Sequence, residues 1–404
     1  MTTRAINRCA LIAGLALAAL PVSGGAADAM LEFLEARVQE DPLDFTAQNR
    51  LADRYIKLMR ETGDLATLDR AASAARASLS AVPAEQNPGG LAALAIVEFE
   101  SHHFADALKL AGRSYDIDPR NFSALATIGD AQLELGNYTE AGTVYAKLAE
   151  DSAAPPILAR QAKLAELKGH NQQAIELLTR AIDAEAGPGV WFHVRLGELY
   201  FRTGGLKQAE AQYQAALGQM PENFLALEHL AELRAAQSRY EEAVLLYQKV
   251  IARVPRAEFF QALGDLYRFM DKPDDAKPWH ERALAAYRKS IEQGNAHYLH
   301  HLAVFYCDVQ ENPAEALRWA QKDLKVRHSL YAYDSLAWAL YKNGDYSGAR
   351  DAMDKALIPG TQDAHLFYHA GLIYSLAGDL QQGQTYLKQA VAINPVYNAF
   401  HAHR

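Results

Sequence analysis

The chain lacks most of the features that mark enzymes, disulfide-built proteins and membrane spanners. Its 404 residues contain two cysteines, Cys9 and Cys307. Cys9 falls in an amino-terminal segment expected to be removed, which leaves one thiol and no internal disulfide. Stability must then come from packing, for which a chain of this length has ample surface to bury. No GxSxG, GxxxxGK[ST], HExxH or paired CxxC occurs after that segment, so none of the common nucleophile, phosphate or metalloprotease motifs is available. Cys307 has His300 and His301 six and seven residues away, spacings that do not define a shared catalytic face. The expectation is a protein that is not an enzyme and needs no cofactor.

Positive charge is also in deficit. Lys and Arg number 40 against 49 Asp and Glu, for a formal charge of -9. Loss of Arg4 and Arg8 with the amino-terminal segment would take it to about -11. A nucleic acid or an anionic lipid surface calls for a basic face, so both are disfavoured as partners. Beyond the amino terminus no run of 18 or more apolar residues appears, which predicts no membrane-spanning helix and at most peripheral contact.

The first residues fall into three zones. Arg4 and Arg8 are followed by the apolar stretch from Cys9 to Val22, then by small residues from Ser23 to Ala29. That order predicts a secretory signal over 1–27, cleaved after Ala27 or Ala29, and hence export, most simply to a bacterial periplasm or else by secretion. The apolar zone is short for a span, and Pro21 favours an exit from helix. An uncleaved anchor is the alternative. Cys9 precedes the apolar zone, the wrong place for a lipid-modified cysteine.

What is abundant is a repeat. In the stretch 122–155, Leu125, Ile128, Gly129 and Gln132 keep helical spacing, Gly136-Asn137 interrupts it, and Tyr138, Ala141, Tyr145 and Leu148 mark a second helix. Small residues return at a period near 34: Ala95, Gly129, Ala162, Gly197, Ala231, Gly264, Ala303, Ala337 and Gly371. A second series follows at Ala107, Ala141, Ala174, Ala209, Ala243, Ala276, Ala316, Ala349 and Gly383. Partners lie 12 apart except Ala303 and Ala316, which lie 13 apart beside a widened turn. Such positions let paired helices approach closely. Pro119, Pro221, Pro255 and Pro395 close individual units.

These residues resemble the tetratricopeptide repeat, best in 190–223 through Gly197, Tyr200, Gly204, Ala209, Tyr213, Ala216 and Pro221. The resemblance implies an all-α fold, a right-handed superhelical solenoid of antiparallel helix pairs. Nine units fill 88–397, a degenerate one lies within 28–87, and 398–404 is expected to fray. A long helix suggests a break near 284–295. Signal and repeats together resemble exported bacterial members of this family.

In that family the first helix of each pair lines the concave surface, which here implies a groove containing Trp191, Phe201, Arg202, Asp265, Arg268, His297, His300, Asp334, Trp338, Tyr341, Lys342 and Tyr368. Trp338 and Tyr341 would serve as apolar anchors, with Arg268 and Lys342 meeting carboxylates and Asp265 and Asp334 meeting donors. The resulting expectation is a scaffold or adaptor that holds a peptide or a partner helix. A structural or self-associating envelope component, homo-oligomeric through its convex face or ends, is the alternative, and a metal-responsive binding module a further one. His297, His300 and His301 share a short run and His365 and His369 repeat its i,i+4 spacing two units on. The two groups sit on separated repeats, so no metal site is expected from them, although titration of these residues could make partner binding pH-sensitive.

Overall fold

The computed structural model describes residues 29–397 and Phe400. The expected signal segment lies outside the described residues, as does the tail 398–404 apart from Phe400. Twenty-one α-helices run from Ala29–Glu40 to Leu380–Ile393, and no strand is found among the described residues. After the first helix they form ten antiparallel pairs. The first of these pairs, Phe45–Thr62 with Ala66–Ala81, occupies the stretch read as degenerate in sequence. No helix among the described residues is long and apolar enough to cross a membrane.

Local signals explain the boundaries. The side chains of Asn121, Asn223, Asn312, Asp345, Asp363 and Asp379 accept hydrogen bonds from backbone N–H groups in the first turn of their helices. Such caps satisfy donors that the helix itself leaves free. Between the two helices of a pair one residue takes a left-handed conformation. Gly136, Gly169, Gly204, Gly344 and Gly378 do so easily, whereas His102, Ser238, Asp271 and Glu311 do so despite their side chains.

The small-residue series is a packing device. An added Cβ on Gly197 would stand 2.3 Å from the Tyr213 ring, and one on Gly129 would stand 2.5 Å from the Tyr145 ring. The second helix thus lays an aromatic ring directly on the first helix's backbone. Tyr213 and Tyr247 are fully buried in equivalent places. Ala141, Ala209, Ala276, Ala337 and Ala349 are buried in the same seams, and Gly264 and Gly371 touch His280 and Leu387. One apolar core continues from Phe224 through Phe259, Ala283, Tyr287 and Phe305 to Trp338. It crosses 284–295 without interruption. The helix there runs on as Pro273–Glu292. Phe400 is buried in this core, edge-on to Phe269.

The solenoid also closes on itself. Leu330 N–H donates to the Tyr138 hydroxyl (2.8 Å), His328 N–H to the Glu134 carbonyl (3.0 Å) and Asn394 Nδ2 to the Phe201 carbonyl (3.3 Å). Thr361 donates to the Leu167 carbonyl, and His102 meets His297 at 3.1 Å. Gly63 leaves no room for a side chain against Phe224 and Val254. These hydrogen-bonded partners are 192 to 195 residues apart in sequence. The turn inside each early pair therefore rests on the turn between two later pairs, one superhelical revolution on. Gly136 and Gly169 need glycine twice over, for their positive φ and for close approach to the backbone of His328 and Gly360.

The ring-on-backbone seam predicts opposite signs for one chemical change. Gly197→Ala overpacks the Tyr213 contact and should destabilise by about 1–3 kcal/mol. Gly112→Ala, within the helix Phe104–Ile117 where a Cβ meets nothing within 4 Å, should stabilise by about 0.5–1 kcal/mol. Urea unfolding of both variants checks the pair.

Candidate functional site

The first helices of successive pairs point their inner faces into a partly enclosed cavity of about 210 Å³. Glu198, Phe201 and Arg202 reach it from the helix Val190–Arg202, and His229 and Glu232 from Phe224–Ala236. Glu258, His300, His301 and Val304 follow, then Tyr331, Asp334, Asp363 and His365. Five carboxylates and one guanidinium line this space, with the balancing cations set behind it.

Glu166 anchors one side of the lining. It is 8% exposed and meets Arg202 Nη1 at 2.8 Å, Lys163 Nζ at 3.4 Å and Arg195 Nη2 at 3.7 Å. Burial would raise its carboxyl, but the charges of Lys163, Arg202 and Arg195 outweigh it and hold the pKa down at about 2. Arg202 continues to Asp363 (3.0 Å) and donates to the Tyr331 hydroxyl (3.1 Å), so it ties two superhelical turns together. A second tie crosses at His102. Arg327 Nη2 donates to its Nδ1 (2.9 Å), while its Nε2 lies 3.1 Å from His297 Nδ1. Burial, aided by Arg256, drives His297 down to about 3, and burial with neighbouring positive groups also lowers His102 and His300. Burial pushes Asp323, in contact with Arg327, up to about 6 despite that guanidinium.

The twelve groove residues expected from sequence separate into groups. Phe201, Arg202, His300 and Asp334 line the cavity. Trp338 is buried between two rings, with centroid distances of 4.8 Å to Tyr341 and 4.2 Å to His369. Its Nε1 donates to Asp308, which Lys342 also meets at 3.0 Å, and Arg268 donates to the Asp308 carbonyl. Tyr368 stacks obliquely on His369 and Tyr397. His297 belongs to the tie at His102, and Asp265 is engaged by His280 at 2.9 Å. Trp191 is half exposed and meets the edge of its neighbour Phe192. Cys307 is buried, and burial pushes its thiol well above the usual range, away from the thiolate that nucleophilic chemistry needs.

The resemblance also implies inward positions for Glu198 and Glu258, whereas sequence reading passed over His229, Glu232 and Asp363. A signal existed in Glu228-His229-x-x-Glu232 on one helix, where positions i and i+4 share a face. Here His229 Nδ1 lies 3.4 Å from Glu228 Oε2 and 3.8 Å from Glu232 Oε2. The His229 ring stacks on Tyr213, 5.7 Å between centroids. Burial together with Glu198, Glu232 and Glu228 holds the Tyr213 phenol well above its ordinary value, and burial with Glu228, Glu232 and Asp265 does the same at Tyr247.

Family profiles described as "Tetratricopeptide repeat" match residues 92–155 and 194–258, 329–358, and 364–397. With the paired helices and their recurring small residues, these matches place the chain in the tetratricopeptide-repeat family, a family of non-catalytic protein-interaction scaffolds. No curated protein matches the sequence significantly. Among solved structures it is similar to a human IFIT1 dimer with PPP-AAAA, at 14% identity and a TM-score of 0.47, covering 91% of this chain and 95% of that one. A tetratricopeptide repeat protein from Parabacteroides merdae matches at 17% identity and 0.37, covering 74% and 99%. MamA matches at 21% and 0.34, covering 41% and 97%. At these identities and TM-scores, none of the three defines a role for this chain.

The inter-turn tie carries a pH dependence. His297, His102 and His300 have folded-state pKa values below the unfolded value of 6.5, so the unfolded chain takes up protons that the folded chain refuses. Their contribution is present above pH 6.5 and is lost as pH falls toward the folded values, at about 1.4 kcal/mol per pH unit for each imidazole. Asp323, Glu134, His103 and His369 work in the opposite sense, because their raised pKa values favour the fold as pH falls. Between pH 6.5 and 5, His297→Gln should therefore lose about 1–2 kcal/mol less unfolding free energy than the wild type, as read by urea titration. Equal falls in the two proteins would remove His297 from the account.

Proposed function

We propose that this protein is an exported, periplasmic adaptor whose concave cavity receives an extended, basic segment of a protein partner. The observation that carries the reading is the lining of Glu198, Glu232, Glu258, Asp334 and Asp363 on a fold used to hold other proteins. A volume of about 210 Å³ suits side chains of an extended segment better than a helix, whose diameter with side chains is about 10–12 Å. Because the turns rest on one another, the segment enters along the superhelix axis. Its Lys or Arg side chains replace water near the carboxylates, and Tyr331 and Phe201 offer apolar surface beside them. Trp338 and Tyr341 brace the wall from behind. Export rests on the charged, apolar and small-residue zones of the first 29 residues. A mature amino terminus at Asp28 or Met30 in the exported fraction is the expected result, and a full-length cytoplasmic chain would remove this part of the reading.

The cavity reading is tested by filling the space. Val304→Trp places a large ring among the lining residues. Labelled extended peptides carrying Lys and Arg should bind the wild type, more weakly as salt rises, and lose at least tenfold in affinity to the variant at an unchanged melting temperature. Undiminished binding by a folded Val304→Trp would reject the cavity.

A second reading, self-association through the ends of the array, has its own support. Met30 and Phe33 are exposed at one end, and Leu376, Leu380 and Val391 at the other. A solenoid end without a polar cap leaves apolar surface uncovered. Sedimentation showing a monomer at high concentration would dismiss it.

A further inference from the structure

We propose that Glu228, His229 and Glu232 form a binding site for one divalent transition-metal ion, with Zn²⁺ the best fit, held against the concave cavity. The proposal goes beyond the adaptor reading and does not depend on whether a peptide enters.

Three observations converge. The first is ligand geometry. One donor atom from each of the three residues lies within 4.8 Å of the others, and all three residues are buried. Nδ1 of His229 stands 3.4 and 3.8 Å from the two carboxylate oxygens. Those distances exceed good hydrogen bonds. They approach the roughly 3.3–3.4 Å between ligands of a tetrahedral ion with bonds of about 2.0–2.1 Å, so small side-chain shifts would close the site. The second is orientation. The other ring nitrogen, Nε2, faces Glu198 at 3.4 Å, which places a carboxylate on the side where the partner of a metal-ligating imidazole sits, a small shift short of a good hydrogen bond. Glu198 is itself held by Arg195.

The third observation is independent of the cluster. The hydroxyls of Tyr213 and Tyr247 are fully buried and make no hydrogen bond. The corresponding hydroxyl of Tyr145 is satisfied by Asp130, and that of the buried Tyr287, at a different place in its repeat, by Gln261. Buried polar groups are usually paired, and these two exceptions flank one helix, beside the same glutamates. A bound ion with its remaining water would supply an oxygen partner at that place. Two carboxylates and an imidazole are the nitrogen and oxygen donors that suit Zn²⁺ and its neighbours rather than Cu⁺ or an iron–sulfur cluster. His229 and Glu232 also line the cavity, so an open coordination position would face it.

The test uses the purified, untagged, metal-free chain titrated with Co²⁺, a spectroscopic stand-in for Zn²⁺. One equivalent should bind with visible d–d absorption, be displaced by Zn²⁺ and raise the melting temperature. His229→Ala and the double substitution Glu228→Gln/Glu232→Gln should each weaken binding at least tenfold. His300→Ala/His301→Ala should leave it unchanged. X-ray absorption of the wild-type Zn²⁺ complex, which needs no variant to fold, should show one imidazole with oxygen ligands. Absence of stoichiometric binding at micromolar metal, undiminished binding by folded His229→Ala, or two or more imidazoles around the zinc would each overturn the assignment.

Discussion

The structure depends on one contact pattern, the seating of early turns on later ones about 193 residues downstream. An open solenoid gains stability only from nearest neighbours. Here Tyr138, Leu167, Phe201 and His102 each bind chain from the next superhelical revolution. The concave surface consequently becomes the wall of a small cavity instead of an open trough. The charged side chains that line it are held on both sides, since Arg202 reaches Glu166 on its own turn and Asp363 on the next. Desolvated charges of this kind persist only because each is paired, as the lowered pKa of Glu166 records.

The fold was legible because its main device is written as a period. Where two helices must approach within a ring's thickness, glycine or alanine is forced, and that requirement recurs at each pair from Ala95 to Gly371. The left-handed turn residue was only partly legible. Gly136 and Gly204 announce it, whereas His102, Ser238 and Asp271 adopt the same backbone with no compositional signal. Closure of the superhelix was not legible at all. Residues such as Tyr138 and Leu330 meet through the accumulated rotation of many repeats, and no local spacing encodes that sum.

The site shows the same division. Family resemblance placed Phe201, Arg202, His300 and Asp334 on first helices, and they line the cavity. It also offered Trp338 as an apolar anchor for a partner, whereas both of its faces are covered, by Tyr341 and His369. Aromatic character alone could not distinguish a free ring from a stacked one. Conversely, the His229 cluster drew no attention because its residues look like ordinary helix surface. Their meaning comes from burial, and burial at Glu228 and Glu232 depends on the neighbouring pairs.

The turn-on-turn ladder also bears on how the chain reaches this state. Contacts nearly two hundred residues apart raise the average sequence separation of the native interactions well above that of a simple helix array. Each helix pair forms locally and early, but the ladder cannot close until the pairs beyond Leu330 exist. The early turns around His102 and Gly136 therefore wait through synthesis with their polar groups still hydrated. Completion of the last pairs converts a string of locally stable units into one cooperative body.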